Sequence, residues 1–428
     1  MELELEASPQ GSAEAGTTRP SLVLAFVGVV VPDRSEFITE VFSRAGNMTQ
    51  LNVLRSLAGA GVRVSLVLSF LPTGSYPRAK RLWIPKQQVF LFEGCRATLL
   101  PFINIQPIKQ LYCGFGVFWR LLLWGIRNRS KPKVVCLYNL SRPPAIFHYA
   151  AARLVGAKIA ALLYDITIPG VEDPNDVYHR LIFRMTKWIV PRLDGRIVIN
   201  EAVVRDFAPG KHFLLVDGGV SLETMRRCEQ FRKCAERPEF TLAFAGRLWE
   251  GNGIPIMLKS FARLSDPTYR LCIAGKGGLE DEVRTAAARD HRIIYKGFLD
   301  HEGVMQMYES ADVLLNIRLT KLVNLPYVFP SKFLEHLSSG RPVITTAPAH
   351  TEKEYGDLCF ILKEENPEGL TSLIEKVRGM GAAERTGIAS RAKAFMMRER
   401  TWERQGTRIA EYLAKKVLNG RGGPMRKA

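Results

Sequence analysis

The run Phe240-Thr241-Leu242-Ala243-Phe244-Ala245 decides the fold class, together with the helix and strand next along the chain. After Gly246-Arg247 comes a helical-period stretch at Ile254–Leu264, then a second strand-like run, Arg270-Leu271-Cys272-Ile273-Ala274. Two short apolar runs joined by an amphipathic helix make a βαβ unit, and its parallel strands must be covered on both faces. Downstream the rhythm repeats: helix at Glu280–Arg289, strand at Ile293–Tyr295, helix at Gly303–Ser310, strand at Val313–Ile317, helix at Ser331–Ser338 and strand at Pro342–Thr345.

Upstream the same alternation runs from Leu22–Val31, read as a buried first strand, through a helix at Asn47–Ala60 to a strand at Val62–Phe70. Further strand-like runs lie at Val89–Phe92, Val134–Tyr138, Lys158–Tyr164 and Arg196–Ile199, with helices at Pro144–Val155 and Val177–Val190. The rhythm breaks between Pro209 and Pro238, a glycine-bearing, polar stretch. The expected architecture is therefore α/β, with two Rossmann-like, doubly wound parallel sheets facing a cleft. The expected divisions are a disordered leader at 1–20, a first Rossmann-like domain at 21–210, a second at 220–398, and a basic helix and tail at 399–428 packing back on the first domain.

Bulk properties agree. The 428 residues suit two domains of roughly 200 residues each. An apolar fraction of 46% excludes wholesale disorder. A formal charge of +18 favours polyanions: nucleic acid, anionic lipid or phosphorylated small molecules. The seven cysteines are scattered without a metal-binding spacing, so no metal site is expected and a reducing cytosol fits. The acidic start, Met1-Glu2-Leu3-Glu4, lacks the positive region of a secretory signal. The apolar run Leu22–Val31 is far short of a bilayer span.

Chemistry-bearing segments cluster where strands end. Pro330-Ser331-Lys332-Phe333-Leu334-Glu335 can start a helix whose free N–H groups hold a phosphate, with the Glu335 carboxylate placed for two ribose hydroxyls. The same residues read equally as an ordinary capped helix ending at Gly340. Gly246-Arg247 ends a strand and suits a diphosphate clamp, or is a solvated loop. Gly275-Lys276-Gly277 lets backbone approach a ligand, or simply makes a tight turn. Gly46 lies in a loop entering the first helix, facing the cleft in one reading, with Asn47 as a plain N-cap in the other. Asp165, at the end of Lys158–Tyr164, is a site candidate or a turn residue. The stretch Phe115–Arg129 is apolar and punctuated by arginine, suiting either a membrane interface or a core helix.

Taken in order, Phe-x-Gly-Arg, Ala-Gly-x-Gly, Gly297-Phe298 and Pro-Ser-Lys-x-x-Glu-x-x-x-x-Gly-x-Pro-Val-Ile resemble the retaining family 4 glycosyltransferases (glycosyl transferases group 1) of GT-B fold. The subgroup that the chain resembles builds bacterial capsule, exopolysaccharide or O-antigen units. The resemblance implies that Glu335 binds the donor ribose, Arg247 the diphosphate, and backbone at Pro330, Ser331 and Lys332 the distal phosphate. Gly275 and Gly277 would lie near the base. Val216-Asp217-Gly218-Gly219-Val220 resembles the family's interdomain segment. Three positions depart from the pattern: Tyr327 where a second glutamate often stands, Asn252 where a lysine commonly precedes a glycine, and Tyr164-Asp165 where a histidine often ends the strand.

The expected reaction is transfer of a sugar from a nucleotide diphosphate sugar to a hydroxyl acceptor, saccharide or lipid-linked, with retention. Arg247, Lys332 and helix-terminal N–H groups would stabilise the leaving diphosphate, with Asp165 as a further catalytic candidate and no cofactor or metal. A nucleotide-sugar epimerase or a polyanion-binding protein are the rival readings. No nucleic-acid-binding module is evident, so nucleic acid is not an expected partner. The expected location is cytoplasmic, peripheral on the inner face of the cell membrane.

Overall fold

A computed structural model describes residues 22–39, 41–140, 145–166, 168, 177–231, 238–322, 327 and 329–420. The expected leader at 1–20, the last eight residues and Cys234 lie outside the described residues.

The first half comprises β1 (Val23–Val27), α1 (Arg44–Gly59), β2 (Arg63–Ser69), β3 (Trp83–Ile84), β4 (Gln87–Phe92), β5 (Cys95–Leu99) and β6 (Phe102–Ile103). It continues with α2 (Ile108–Arg127), β7 (Lys133–Tyr138), α3 (Ala145–Leu154), β8 (Lys158–Leu163), α4 (Val177–Ile189), β9 (Gly195–Val198), α5 (Glu201–Phe207) and β10 (Leu214–Leu215). Eight of these strands form one sheet, β10-β9-β8-β7-β1-β2-β5-β4. It is parallel except at its edge, where β4 pairs antiparallel with β5. The expected strand at Val89–Phe92 is therefore present but reversed, because a two-residue turn at Glu93-Gly94 allows only a hairpin.

After α6 (Leu222–Glu229) the second half comprises β11 (Phe240–Ala245), α7 (Ile254–Arg263), β12 (Tyr269–Ala274), α8 (Glu280–Arg289), β13 (Ile293–Tyr295), α9 (His301–Glu309) and β14 (Val313–Asn316). Next come α10 (Ser331–Ser338), β15 (Val343–Thr345), α11 (Thr351–Tyr355), β16 (Phe360–Ile361), α12 (Pro367–Gly379), α13 (Ala382–Glu399) and α14 (Trp402–Tyr412). The six strands order β13-β12-β11-β14-β15-β16, all parallel. The chain is thus a doubly wound α/β protein of two Rossmann-like sheets.

Two local expectations change. The buried run Leu22–Val31 leaves the sheet after Val27, although residues 28–31 stay largely buried. Side chains take over the backbone pairing: Val29, Val30 and Val31 donate N–H to Gln50 Oε1, Ser69 Oγ and Asn47 Oδ1 at 3.0, 2.8 and 2.9 Å. Asn47 is thereby committed to this loop, and Ser43 caps α1 instead, accepting from Gly46 N.

The helices α2, α3 and α4 cover one face of the first sheet, and α1 with α14 covers the other. The C-terminal helix α14 is docked by Tyr412, whose hydroxyl accepts the Arg196 N–H at 2.9 Å and bonds His212 Nδ1 at 3.0 Å. Arg196 itself is 1% exposed. It is tolerated because its guanidinium donates to the carbonyls of Val190, Pro191 and Leu193.

The chain passes between the two sheets at 216–220 and returns at 400–402. The two passages are paired: Val220 N donates to Arg400 O at 2.8 Å and Trp402 N to Val220 O at 3.1 Å. Beside them Asp217, 2% exposed, accepts from His350 Nε2 at 3.0 Å and from the Tyr355 hydroxyl, with Arg400 Nε at 3.3 Å. Burial raises this carboxyl, but His350, Arg400 and Tyr355 outweigh it and hold it below its ordinary range.

Close packing of α14 on α1 yields a test. A Cβ on Gly406 would lie 2.5 Å from the Ser56 backbone. Gly406→Leu should therefore destabilise the protein by about 1–3 kcal/mol in thermal denaturation. Gly379→Ala, which meets nothing within 4 Å, should leave the midpoint unchanged.

Candidate functional site

In open parallel sheets, ligands bind outside the carboxyl ends of the strands. At that edge of the second sheet three loops, after β11, β12 and β13, stack backbone on backbone. Gly246 N donates to Ala274 O at 3.0 Å, Leu248 N to Lys276 O at 2.9 Å and Gly275 N to Gly297 O at 2.8 Å. This contact explains the glycines. Gly275 has φ +141°, and a Cβ there would sit 1.8 Å from Gly246 O. A Cβ on Gly277 would sit 2.1 Å from Leu248 O. Gly275 and Gly277 thus serve loop-to-loop packing. Beside them Phe298 stands 68% exposed, with the Lys276 ammonium 5.5 Å from its ring centre.

Helix α10 begins at the same edge, between β14 and β15. Its N-cap is Pro330, and no side chain caps it. The first N–H groups of such a helix point out of its start, where the dipole favours an anion. The Ser331 side chain lies outside the described residues. Lys332 reaches across to β11, donating from a partly buried Nζ to Ala245 O at 3.2 Å. Lys332 and Ala245 are 87 residues apart, and their bond makes the Pro-Ser-Lys segment a neighbour of the strand end that leads into Gly246-Arg247. Arg247 is exposed, its guanidinium 5.9 Å from the Trp249 ring centre.

Glu335 is half-buried one turn into α10. Burial raises its carboxyl, opposed by His301 and Lys332. Among the described residues no hydrogen-bond donor reaches this carboxylate. Burial also lowers the Lys332 ammonium, Glu335 opposes that, and Arg318 adds to the lowering.

Arg318 is the residue that reading the chain by motif missed. It follows β14 at the carboxyl edge, with its backbone tied to Thr346: N donates to Oγ1 at 2.9 Å and O accepts from Oγ1 at 2.8 Å. Its guanidinium meets no carboxylate among the described residues, and burial lowers its pKa. The one available signal was a cation just past a strand's carboxyl end.

The departures from the family pattern have structural roles. Asn252, buried, donates from Nδ2 to Arg247 O at 2.7 Å and so shapes the Gly-Arg loop. Tyr327 touches the other half of the molecule: its hydroxyl donates to Asp206 Oδ2 at 3.0 Å and its ring lies 5.4 Å from Phe207.

On the first sheet's carboxyl edge, Gly46 sits in the first turn of α1 near the Tyr138 hydroxyl. Asp165 is exposed just past β8. Asn139, at φ +52°, accepts from the Tyr164 and Asp165 N–H groups at 2.8 and 3.0 Å, fixing the strand end. The edge therefore carries Gly46, Tyr138 and Asp165.

Residues 239–378, which contain every second-half element of this edge, match the family Glycosyl transferases group 1. The two-sheet architecture is that of GT-B glycosyltransferases. The sucrose-phosphate synthase of Thermosynechococcus elongatus is similar in structure, with TM-score 0.61 and 14% identity over 91% of this chain and 97% of that one. So is HepE of Anabaena in complex with UDP, with TM-score 0.62 and 14% identity over 92% and 99%. The lipopolysaccharide outer core galactosyltransferase WaaB gives TM-score 0.58 and 13% identity over 91% and 99%. At these identities the likeness speaks for the fold. No curated protein matches the sequence.

The raised carboxyl of Glu335 sets a sign for stability against pH. Ionising Glu335 costs the folded chain more than the unfolded one, so its penalty is absent below the ordinary carboxyl range and complete above the folded value. Glu335→Gln should raise the melting temperature at neutral pH, and the gap should close as the pH falls through the carboxyl range. A lower midpoint at neutral pH would show that the carboxylate is instead stabilised in the fold.

Proposed function

We propose that this enzyme transfers a glycosyl unit from a nucleotide diphosphate sugar to a hydroxyl acceptor, lipid-linked or a growing saccharide, with retention at the anomeric carbon. The observation that carries the reading is the Glu335 carboxylate, which no donor reaches among the described residues, at an uncapped helix start with Lys332 near it; Arg318 lies near Lys332 and faces no carboxylate among the described residues. A carboxylate without a donor suits ribose hydroxyls; a guanidinium without an acid, as at Arg318, suits a diphosphate. Support also comes from HepE, whose solved complex holds UDP.

In this reading Arg247, Lys332 and Arg318 stabilise the diphosphate as the glycosidic bond breaks, and the leading N–H groups of α10 at Pro330, Ser331 and Lys332 hold its outer oxygens. The glycine-packed loops at Gly246, Gly275 and Gly277, with the Phe298 ring, receive the base. Gly46 and Asp165 face the sugar and acceptor from the opposite edge. No cofactor or metal takes part. The enzyme works at the cytoplasmic face of a membrane.

Purified protein titrated with UDP and other nucleoside diphosphates should bind at least one. Arg318→Ala and Arg247→Ala should each weaken that binding by about 10–100-fold, the loss expected for one charged hydrogen-bonding group. Glu335→Ala should do the same, while Arg318→Lys should recover part of the loss. Turnover should survive EDTA, and proton NMR of the product should show the donor's anomeric configuration. A protein that neither binds nor turns over any nucleotide sugar would sink the reading.

A further inference from the structure

Helix α2 is apolar on both sides. One side, including Val117, Leu121 and Trp124, is buried in the core of the first sheet. The other presents Ile108, Leu111, Phe115, Trp119, Leu123 and Ile126 at helical spacing, all exposed, with Trp119 at 61% and Ile126 at 62%. A helix apolar all round is ordinarily covered on every side.

The stripe continues onto its neighbours. Phe115 lies 4.8 Å from Phe147 of α3, and Tyr149 of α3 lies 5.5 Å from Trp188 of α4. Helix α4 adds Val177 and Leu181, the latter 64% exposed. At the start of α2, the exposed Trp83 stands edge-on to Tyr112 at 5.9 Å. Isolated exposed apolar residues need no explanation, but a contiguous aromatic and aliphatic face does.

Its charge is one-sided. No acidic residue occurs between Glu93 and Asp165, and none occurs within α4. Exposed cations on these helices or in the segments next to α2 include Lys80, Arg81, Arg127, Arg129, Arg184 and Lys187. A second copy docking here by two-fold symmetry would set these cations against themselves. An anionic lipid surface accepts both features, taking the apolar stripe into its acyl boundary and the cations at its headgroups. Among the described residues no helix is long and apolar enough to cross a membrane, so contact is by lying on the surface.

The geometry points to the outer face of α2, α3 and α4, with the Lys80–Trp83 loop, as the surface by which this protein docks on anionic phospholipid. Crossover helices start at the carboxyl edge of a parallel sheet. Docking by this face brings the cleft beside the bilayer, where a lipid-borne acceptor is presented. The inference deepens the proposed function on its acceptor side and rests on that reading only for the acceptor.

The test is co-sedimentation of the full chain with phosphatidylglycerol-containing vesicles and with pure phosphatidylcholine vesicles, at low and high salt. Wild-type protein should pellet with the anionic vesicles and release at high salt. W119E combined with L123E should weaken that binding at least about tenfold, and R127E combined with R129E should weaken it at low salt. UDP affinity should stay at wild-type level in both variants, which confirms the fold. Wild-type protein left in the supernatant, or the W119E/L123E variant pelleting like wild type, overturns the inference. So does a concentration-dependent dimer in sedimentation velocity that W119E/L123E abolishes. Vesicle binding without any nucleotide binding would sink the proposed reaction and leave the docking face standing.

Discussion

Asp217 is a carboxylate shut away from water where the chain leaves one sheet for the other, and the arrangement of the rest depends on its three donors. An unpaired charge there would be untenable, since removing one member of such a buried set costs about 3–5 kcal/mol. His350 and Tyr355, at the two ends of α11, and Arg400 of the returning passage satisfy it. Arg400 also lies 3.6 Å from Glu354, so its own charge is shared. Meeting the hydrogen bonds of one carboxylate thereby ties the outgoing and returning passages together.

The same set reaches the candidate site by packing. The His350 ring stacks on Phe329 at 4.8 Å, and Phe329 immediately precedes the N-cap of α10. Phe333, one turn into that helix, stands edge-on to Tyr355 at 5.3 Å. Leu334 lies against Gly218, where a Cβ would come within 2.9 Å of the Leu334 Cδ1. The start of α10 is therefore positioned by the interdomain passage as well as by its own sheet. Its position relative to Arg247 is then set by Lys332 bonding the end of β11. Cations held in place by carbonyls and packing, with few acids nearby, keep their field directed outward.

That outward field is uneven over the molecule. The net charge of +18 arises partly from a long acid-free stretch in the first half, and the helices of that stretch carry their unpaired apolar residues on the same side. In the second half, by contrast, several arginines are neutralised locally, as with Arg292 on Asp290 and Arg378 on Asp266.

Hydrophobic periodicity alone determined that this chain is α/β, because each element advertises its own buried face within a few residues. The order of Gly246-Arg247, Gly275-x-Gly277 and Pro330–Glu335 likewise pointed to one edge of the second sheet, where the structure brings the segments together, since parallel strands present their carboxyl ends together. Why the glycines are there was not legible: the 1.8 Å approach of Gly275 to Gly246 exists only once two strands lie side by side. The departure of residues 28–31 from the sheet was hidden too, because Gln50, Ser69 and Asn47 supply pairing from elsewhere. Arg318 and Tyr327 carry no local pattern, and their meaning comes from what stands opposite. Asp217 and His350 are 133 residues apart. Local sequence encodes which face a segment must bury, whereas tertiary structure alone decides which distant group satisfies a buried charge.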